Sequence, residues 1–118
     1  MDERKFKERT KQLALRVIRL VERLPRSRTA DVLGKQLLRA ATSVAANYRA
    51  ACRGKSVADV IAKLGVVEEE ADESLLWMEL LSESNAVDTN ELTELMAETD
   101  EIIAMTVTSI KTLRGRRQ

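Results

Sequence analysis

Residues 37–51 of this chain of 118 residues read LLRAATSVAANYRAA. Apolar side chains recur in the stretch at alternating spacings of four and three residues, at Leu37, Ala41, Val44, Tyr48 and Ala51. Residues spaced in this way return to the same side of an α-helix. Alanine, which has the highest intrinsic helix propensity, is the commonest residue in the stretch. The stretch therefore predicts a long helix with one apolar face.

Three further segments share this periodicity, so that the pattern extends over the chain. The predicted helices cover residues 3–24, 29–53, 57–84 and 89–113. Short loops between consecutive helices place neighbouring helices antiparallel. The sequence therefore predicts one all-α domain over residues 1–118, an antiparallel up-down four-helix bundle. On the fourth helix the predicted apolar side consists of Leu92, Leu95, Met96, Ile102, Ile103, Val107, Ile110 and Leu113.

Turn and cap residues mark the predicted helix boundaries. Pro25 ends the first helix because proline cannot continue it, and Gly54 follows the second at the position where glycine often terminates a helix. Ser56 and Asp88 are each followed three residues later by an acid, which is the pattern of a helix N-cap. Gly115 is predicted to close the fourth helix, which leaves residues 116–118 as a tail.

The composition excludes several classes of active site. The chain has no histidine, which removes histidine bases, Ser-His-Asp triads and histidine metal ligands. Its single cysteine, Cys52, cannot form an internal disulfide or a cysteine-rich zinc site, and is predicted to be a small buried residue near a helix end. The carboxylates between residues 68 and 73 lack histidine partners, so we expect no metal there. We therefore expect no enzyme activity, no cofactor and no small-molecule substrate.

The hydropathy of the chain argues against a membrane location. No apolar run approaches the roughly 20 residues that a membrane-spanning helix needs, and no signal-like apolar stretch follows the first residues. We therefore expect a cytoplasmic protein without a membrane partner.

The charge is distributed unevenly along the chain. Residues 1–56 carry 15 Lys and Arg against five Asp and Glu, whereas residues 57–118 carry five against 14. One interpretation is internal pairing, with basic helices packed beside acidic ones. The other is a basic surface that binds phosphate groups. The sequence leaves both interpretations open.

Basic residues of the first two helices form the candidate nucleic-acid surface. Its members are Arg16, Arg19, Arg23, Lys35, Arg39, Arg49 and Arg53, and Lys5 and Arg9 extend the stripe on the first helix. Arginine suits phosphate because its guanidinium offers paired donors. No aromatic residue interleaves these positions, so binding would follow backbone and shape rather than base stacking. The expected partner is RNA or a nucleic-acid enzyme, and the alternative is a solvated basic face.

The third helix carries a second stripe beside its core face. The stripe consists of Lys63, Val66, Glu70, Glu73, Trp77 and Leu80. One interpretation is a subunit interface, because tryptophan is favoured as an interface anchor. The alternative is a partly covered flank, where long side chains pack over the next helix.

Two polar residues flank the core face of the second helix. Ser43 and Asn47 lie four residues apart, beside small residues that let helices approach closely. They are candidates for a structural polar contact across a helix pair that fixes its register. The alternative is that they are ordinary flank residues.

The stretch from Gln36 to Leu81 is similar to a known bacterial family. Residues 37–51 resemble the second-helix signature of the four-helix-bundle family named for proteins encoded in intervening sequences of large-subunit ribosomal RNA genes. Residues 56–65, EEADES at 69–74 and WMELL at 77–81 resemble its third-helix signature. The resemblance covers essentially the whole chain, and the SVAAN and EEADESxxW stretches are its most specific parts.

The resemblance implies shape more than activity. It implies an up-down bundle that assembles into a ring-shaped homopentamer, and it supplies no catalytic residues. A related branch, the accessory proteins of diversity-generating retroelements, binds RNA and a reverse transcriptase through a basic surface. No feature of this chain places it in that branch.

These observations predict a non-enzymatic, homo-oligomeric scaffold protein. RNA or another nucleic acid would bind the basic surface of the first two helices. The alternative is a protein-binding adaptor without a nucleic-acid role, whose basic and acidic halves pair within the assembly.

Overall fold

The computed structural model describes residues 2–87 and 89–117 and consists of four antiparallel helices. Their bounds are α1 Glu3–Glu22, α2 Arg28–Cys52, α3 Val57–Glu83 and α4 Thr89–Arg117. Each helix packs against two others in the cyclic order α1, α2, α3, α4, and the bundle measures 50 × 20 × 19 Å. The described residues contain no strand. The all-α, four-helix prediction is therefore confirmed.

Polar side chains cap the helix N-termini as the sequence indicates. The Ser56 hydroxyl accepts a 3.0 Å hydrogen bond from the Asp59 backbone N–H, and the Asp59 carboxylate accepts one from the backbone N–H just before Ser56. Ser27 caps α2 and Asp2 caps α1 through equivalent bonds. Asp88, the predicted cap of the fourth helix, lies outside the described residues.

The helix bounds differ from the prediction by two residues or more at two ends and by one residue at three others. α1 stops at Glu22 rather than at residue 24, whereas α4 continues through Gly115 to Arg117. The prediction that Gly115 closes α4 is wrong. A glycine stops a helix by adopting a positive φ, and none of the described glycines has one. Gln118, from the predicted tail, lies outside the described residues.

The buried face of α4 is partly polar. Thr99 and Thr106 are fully buried there, whereas Met96, Ile103 and Val107 are only half-buried. Each threonine hydroxyl donates a 2.7 Å hydrogen bond to the backbone carbonyl four residues earlier, so its burial leaves no unpaired donor. The predicted apolar side of α4 is therefore rotated, because internally bonded threonines occupy core positions.

Gly54 is needed because a side chain at this position would not fit, and not because of its backbone conformation. A Cβ atom at this position would lie 2.3 Å from Val60 Cγ2 and 3.1 Å from the carbonyl oxygen of Ala51. We expect Gly54→Ala to lower the free energy of unfolding by about 1–3 kcal/mol, because the α2–α3 turn must shift. Gly65→Ala is the control: no atom lies within 4 Å of its Cβ position, and alanine should stabilise the helix by about 0.5–1 kcal/mol. Urea unfolding followed by circular dichroism measures both, and destabilisation of equal size would contradict the packing argument.

Candidate interaction surfaces

Ion pairs join the basic face of α1 to the acidic face of α4. Arg9 donates two hydrogen bonds to the Glu98 carboxylate, at 3.0 Å from Nε and 2.6 Å from Nη2. Two similar pairs follow along the helices, Arg16 with Glu94 and Arg23 with Glu91. Three arginines at seven-residue intervals are therefore engaged within the bundle.

A second set of ion pairs joins α2 to α3. Arg39 contacts Glu70 at 3.2 Å through Nη1, and it contacts Glu73 through Nη2. Both carboxylates belong to the stripe that the sequence singles out on the third helix. The interpretation that basic and acidic helices pair internally thus holds for Arg16, Arg23 and Arg39, three members of the candidate nucleic-acid surface.

The other four members of the candidate nucleic-acid surface are not gathered at one place. Arg19, Lys35, Arg49 and Arg53 are exposed, and none of the described carboxylates forms an ion pair with them. Arg19 lies near the C-terminal end of α1 and Arg53 caps the C-terminus of α2, which places them at opposite ends of the bundle.

The α3 stripe combines bonded polar residues with exposed apolar ones. Lys63 contacts Asp59 at 2.6 Å rather than Glu70, which lies two turns away. The indole N–H of Trp77 donates a 3.4 Å hydrogen bond to Glu73, and the ring is half-buried. Val66 and Leu80 remain 37% and 40% exposed.

Two apolar residues that the sequence analysis missed lie next to this stripe. Leu76, on the outer side of α3, is 47% exposed, and Val32 of α2 is 55% exposed. Val32 precedes Arg39 by two helical turns and therefore shares the side of α2 that contacts α3. The exposed apolar surface made by Val66, Leu76, Trp77 and Leu80 is called the α3 face below.

Ser43 and Asn47 bond to each other within α2. The Asn47 amide donates to the Ser43 hydroxyl at 2.8 Å and to the Ser43 carbonyl oxygen at 2.9 Å. The contact is therefore local to one helix, and it does not cross a helix pair as expected for fixing register.

Cys52 does not have the environment of a nucleophile. Cys52 is half-buried rather than buried as predicted, and this partial burial raises the pKa of its thiol, which the neighbouring Glu3 carboxylate raises further. A protonated thiol is a poor nucleophile. Tyr48, one turn earlier, also has a raised pKa because of burial.

Residues 2–87 and 89–117 contain neither a candidate metal-ligand cluster nor a candidate membrane-spanning helix. These residues include no group of three or more His, Cys, Asp or Glu that could hold a metal ion. None of the described helices combines the length and apolar character needed to cross a bilayer.

Comparison with known proteins connects this fold to a family. The family model described as "23S rRNA-intervening sequence protein" matches residues 3–108. A crystal structure of a protein of unknown function from the S23 ribosomal protein family of Bacteroides thetaiotaomicron has 31% sequence identity and a TM-score of 0.87. The similarity covers 94% of this chain and 99% of that one.

No curated protein matches this chain. The family model nevertheless spans all of α1, α2 and α3 and most of α4, and the solved structure has the same fold over nearly its full length. The chain therefore belongs to the family of 23S rRNA-intervening sequence proteins.

Proposed function

We propose that this protein is a non-enzymatic interaction protein that self-associates through the α3 face. The observation that carries the proposal is the exposure of Val66, Leu76 and Leu80, at 37%, 47% and 40%, on one side of a helix whose other side is core. A helix that is apolar on two sides commonly has two partners. Exposed apolar residues that cluster in this way mark interaction surfaces more often than isolated ones do.

A second copy of the chain suits this face because the face carries both signs of charge at its edge. Arg39 lies beside Glu70 and Glu73, and all three side chains keep part of their surface in solvent. Such a surface offers both signs of charge to a different patch of the next copy, which is the head-to-tail contact that a ring requires. The half-buried Trp77 ring, already bonded to Glu73, supplies an aromatic anchor.

We further propose a closed ring of five copies in the cytoplasm as the working form. The ring is what the family resemblance implies, and a ring arises when the contacting faces are related by a rotation that closes. In this account the internal ion pairs neutralise much of the basic half, and the protein acts as an adaptor or scaffold for other proteins.

A matched pair of charge insertions tests self-association. Val66 on the α3 face and Ile18 on α1 are both 37% exposed, and α1 has no contact with α3. We expect Val66→Glu to move the mass in light scattering toward that of one chain, because a buried unpaired carboxylate opposes association. Ile18→Glu should leave the mass unchanged. If both variants keep the wild-type mass, the α3 face is not the interface.

Binding of structured RNA is the second candidate function, supported by the exposure of Arg19, Lys35, Arg49 and Arg53 without ion pairs among the described residues. If it is correct, binding weakens steeply with salt, and Arg49→Glu with Arg53→Glu abolishes it while the helix content stays constant. The control is Arg39→Glu, whose arginine already contacts two carboxylates. An affinity that is unchanged in the double variant would exclude this site.

A further inference from the structure

The four helices have unequal lengths, and the shortest one leaves a groove. α1 has 20 residues, whereas α4 has 29. At 1.5 Å per residue the difference is about 13 Å, or roughly two and a half turns. Glu3 at the start of α1 and Arg116 near the end of α4 both line a groove of about 630 Å³. The groove therefore occupies the space into which α1 would extend if it were longer, and it is called the end groove below.

The floor of the end groove is largely apolar. Tyr48, Ala51 and Cys52 of α2, Leu64 of α3 and Met105 of α4 line it. The Phe6 ring of α1 packs edge-to-face on Tyr48 at 4.7 Å. A volume of this size with apolar lining lies within the range of ligand sites. The groove is open to solvent rather than enclosed. One side of a helix therefore fits it better than a small molecule that needs an enclosed pocket.

The side of α4 that faces α1 changes in charge beyond Glu3, where α1 begins. Glu91, Glu94 and Glu98 of this side pair with arginines of α1. Beyond them, the groove is lined by Met105, which Arg9 of α1 contacts at 3.1 Å, then by threonine and serine, and finally by Arg116. The α4 wall thus presents carboxylates to α1. Beyond the N-terminus of α1 it presents the Arg116 guanidinium to the end groove.

Two arginines of the C-terminal part of α2 lie beside the groove without lining it. Arg49 and Arg53 neighbour the groove-lining Cys52, three residues before it and one residue after it. Both arginines are exposed, and none of the described carboxylates pairs with them. Across the groove mouth, Lys7 of α1 pairs with Glu3 at 3.6 Å, so the Glu3 charge is partly compensated. An element in the groove would therefore face Arg116 of α4, and at the rim it would lie near the exposed Arg49 and Arg53 of α2.

We propose that the end groove binds an acidic amphipathic helix of a partner protein, which docks in line with α1. Its apolar side chains, spaced as i, i+3, i+4 and i+7, cover the half-buried Val60, Met105 and Leu113 of the groove. Its carboxylates face Arg53 and Arg116. In the α1–α4 ion pairs the arginines belong to α1 and the carboxylates to α4, so the signs are exchanged. This partner is distinct from the second copy proposed for the α3 face.

The apolar floor favours a protein helix over RNA for this site. A phosphate backbone would use the arginines but would gain nothing from covering the half-buried Met105 and Leu113, whereas an amphipathic helix uses both features. No exposed aromatic side chain among the groove-lining residues offers a base a stacking surface, because Tyr48 is buried.

A pair of labelled peptides tests the proposal on the full chain. Both have about 16 residues, roughly four and a half turns, with leucines at i, i+3, i+4 and i+7; one carries glutamate and the other lysine at the flanking positions. Fluorescence anisotropy should show saturable binding of the glutamate peptide and at least about tenfold weaker binding of the lysine peptide. In Arg53→Glu with Arg116→Glu the preference should reverse.

Filling the groove supplies the control. Thr112 lines the groove and is exposed, so Thr112→Trp should remove glutamate-peptide binding without unfolding the bundle, which circular dichroism verifies. Ala97→Trp, on an exposed part of α4 outside the groove, should bind like wild type. Val66→Glu should also bind, which separates this site from the α3 face.

The proposal is overturned if the glutamate peptide fails to bind, or if both peptides bind equally. Peptide binding that survives Thr112→Trp would also overturn it. A structured RNA that binds through Arg53 and Arg116 while the glutamate peptide does not would assign the end groove to phosphate recognition instead.

Discussion

Replacing Phe6 with alanine should lower the free energy of unfolding by about 3–5 kcal/mol. Phe6 is 1% exposed and forms an edge-to-face contact with Tyr48, with ring centroids 4.7 Å apart. The substitution removes the buried ring and leaves a cavity between α1 and α2. Urea denaturation at a fixed protein concentration should show a lower midpoint with an unchanged slope.

The control for Phe6 is a truncation of an exposed apolar residue on the same helix. Ile18 is 37% exposed, so Ile18→Ala should change stability by no more than about 0.5 kcal/mol. A loss below about 1 kcal/mol in Phe6→Ala would mean that the start of α1 does not anchor the bundle. The packing of Phe6 against Tyr48, which lines the end groove, would then be wrongly described.

Reversing the charge of Arg9 should destabilise the protein by about 1–3 kcal/mol. Arg9 makes the two-bond contact with Glu98, and Glu101 lies 3.7 Å from the same guanidinium. Arg9→Glu would place three carboxylates together and leave the 21%-exposed Glu98 without its partner. Thermal unfolding at low salt measures the loss, which should shrink as salt screens the repulsion.

A charge swap distinguishes pairing from simple loss of packing. The double variant Arg9→Glu with Glu98→Arg restores opposite charges and should recover at least half of the lost stability. Arg19→Glu, at an exposed position without an ion pair among the described residues, should change stability little. No recovery in the swap would contradict internal pairing between α1 and α4.

Internal pairing changes how the basic half of the chain is interpreted. A stripe of arginines on a helix predicts a phosphate surface only when its charges are free. Arg16, Arg23 and Arg39 instead contact carboxylates of α3 and α4, so these three charges are engaged within the bundle. Of the exposed members of the candidate nucleic-acid surface, Arg49 and Arg53 lie beside the end groove, whereas Arg19 and Lys35 lie elsewhere on the bundle.

Periodicity predicted the elements well because a helix repeats its environment every three or four residues. The caps at Ser27 and Ser56 and the turn at Gly54 follow from local chemistry, which a single sequence contains. Thr99 and Thr106 were missed as core residues because their burial depends on hydrogen bonds to their own helix. The prediction for Gly115 was wrong because a glycine near an exposed helix end allows the helix to terminate but does not force it to.

The candidate surfaces were harder to predict than the fold. Whether Arg39 faces solvent or Glu73 depends on the register of α2 against α3, which the spacing of residues does not specify. The exposure of Leu76 depends on how far α3 is rotated, since one step of the helix separates it from the half-buried Trp77. The end groove follows from the relative lengths of α1 and α4, and the predicted helix ends were too inexact to reveal it.

The most direct test of the account is the mass of the wild-type protein by sedimentation equilibrium at low micromolar concentration. The account predicts an assembly of several chains of 13.3 kDa, with five in a closed ring, and dissociation toward one chain in Val66→Glu. A wild-type mass of 13.3 kDa across the concentration range would show that the α3 face stays in solvent, and it would contradict the proposed self-association.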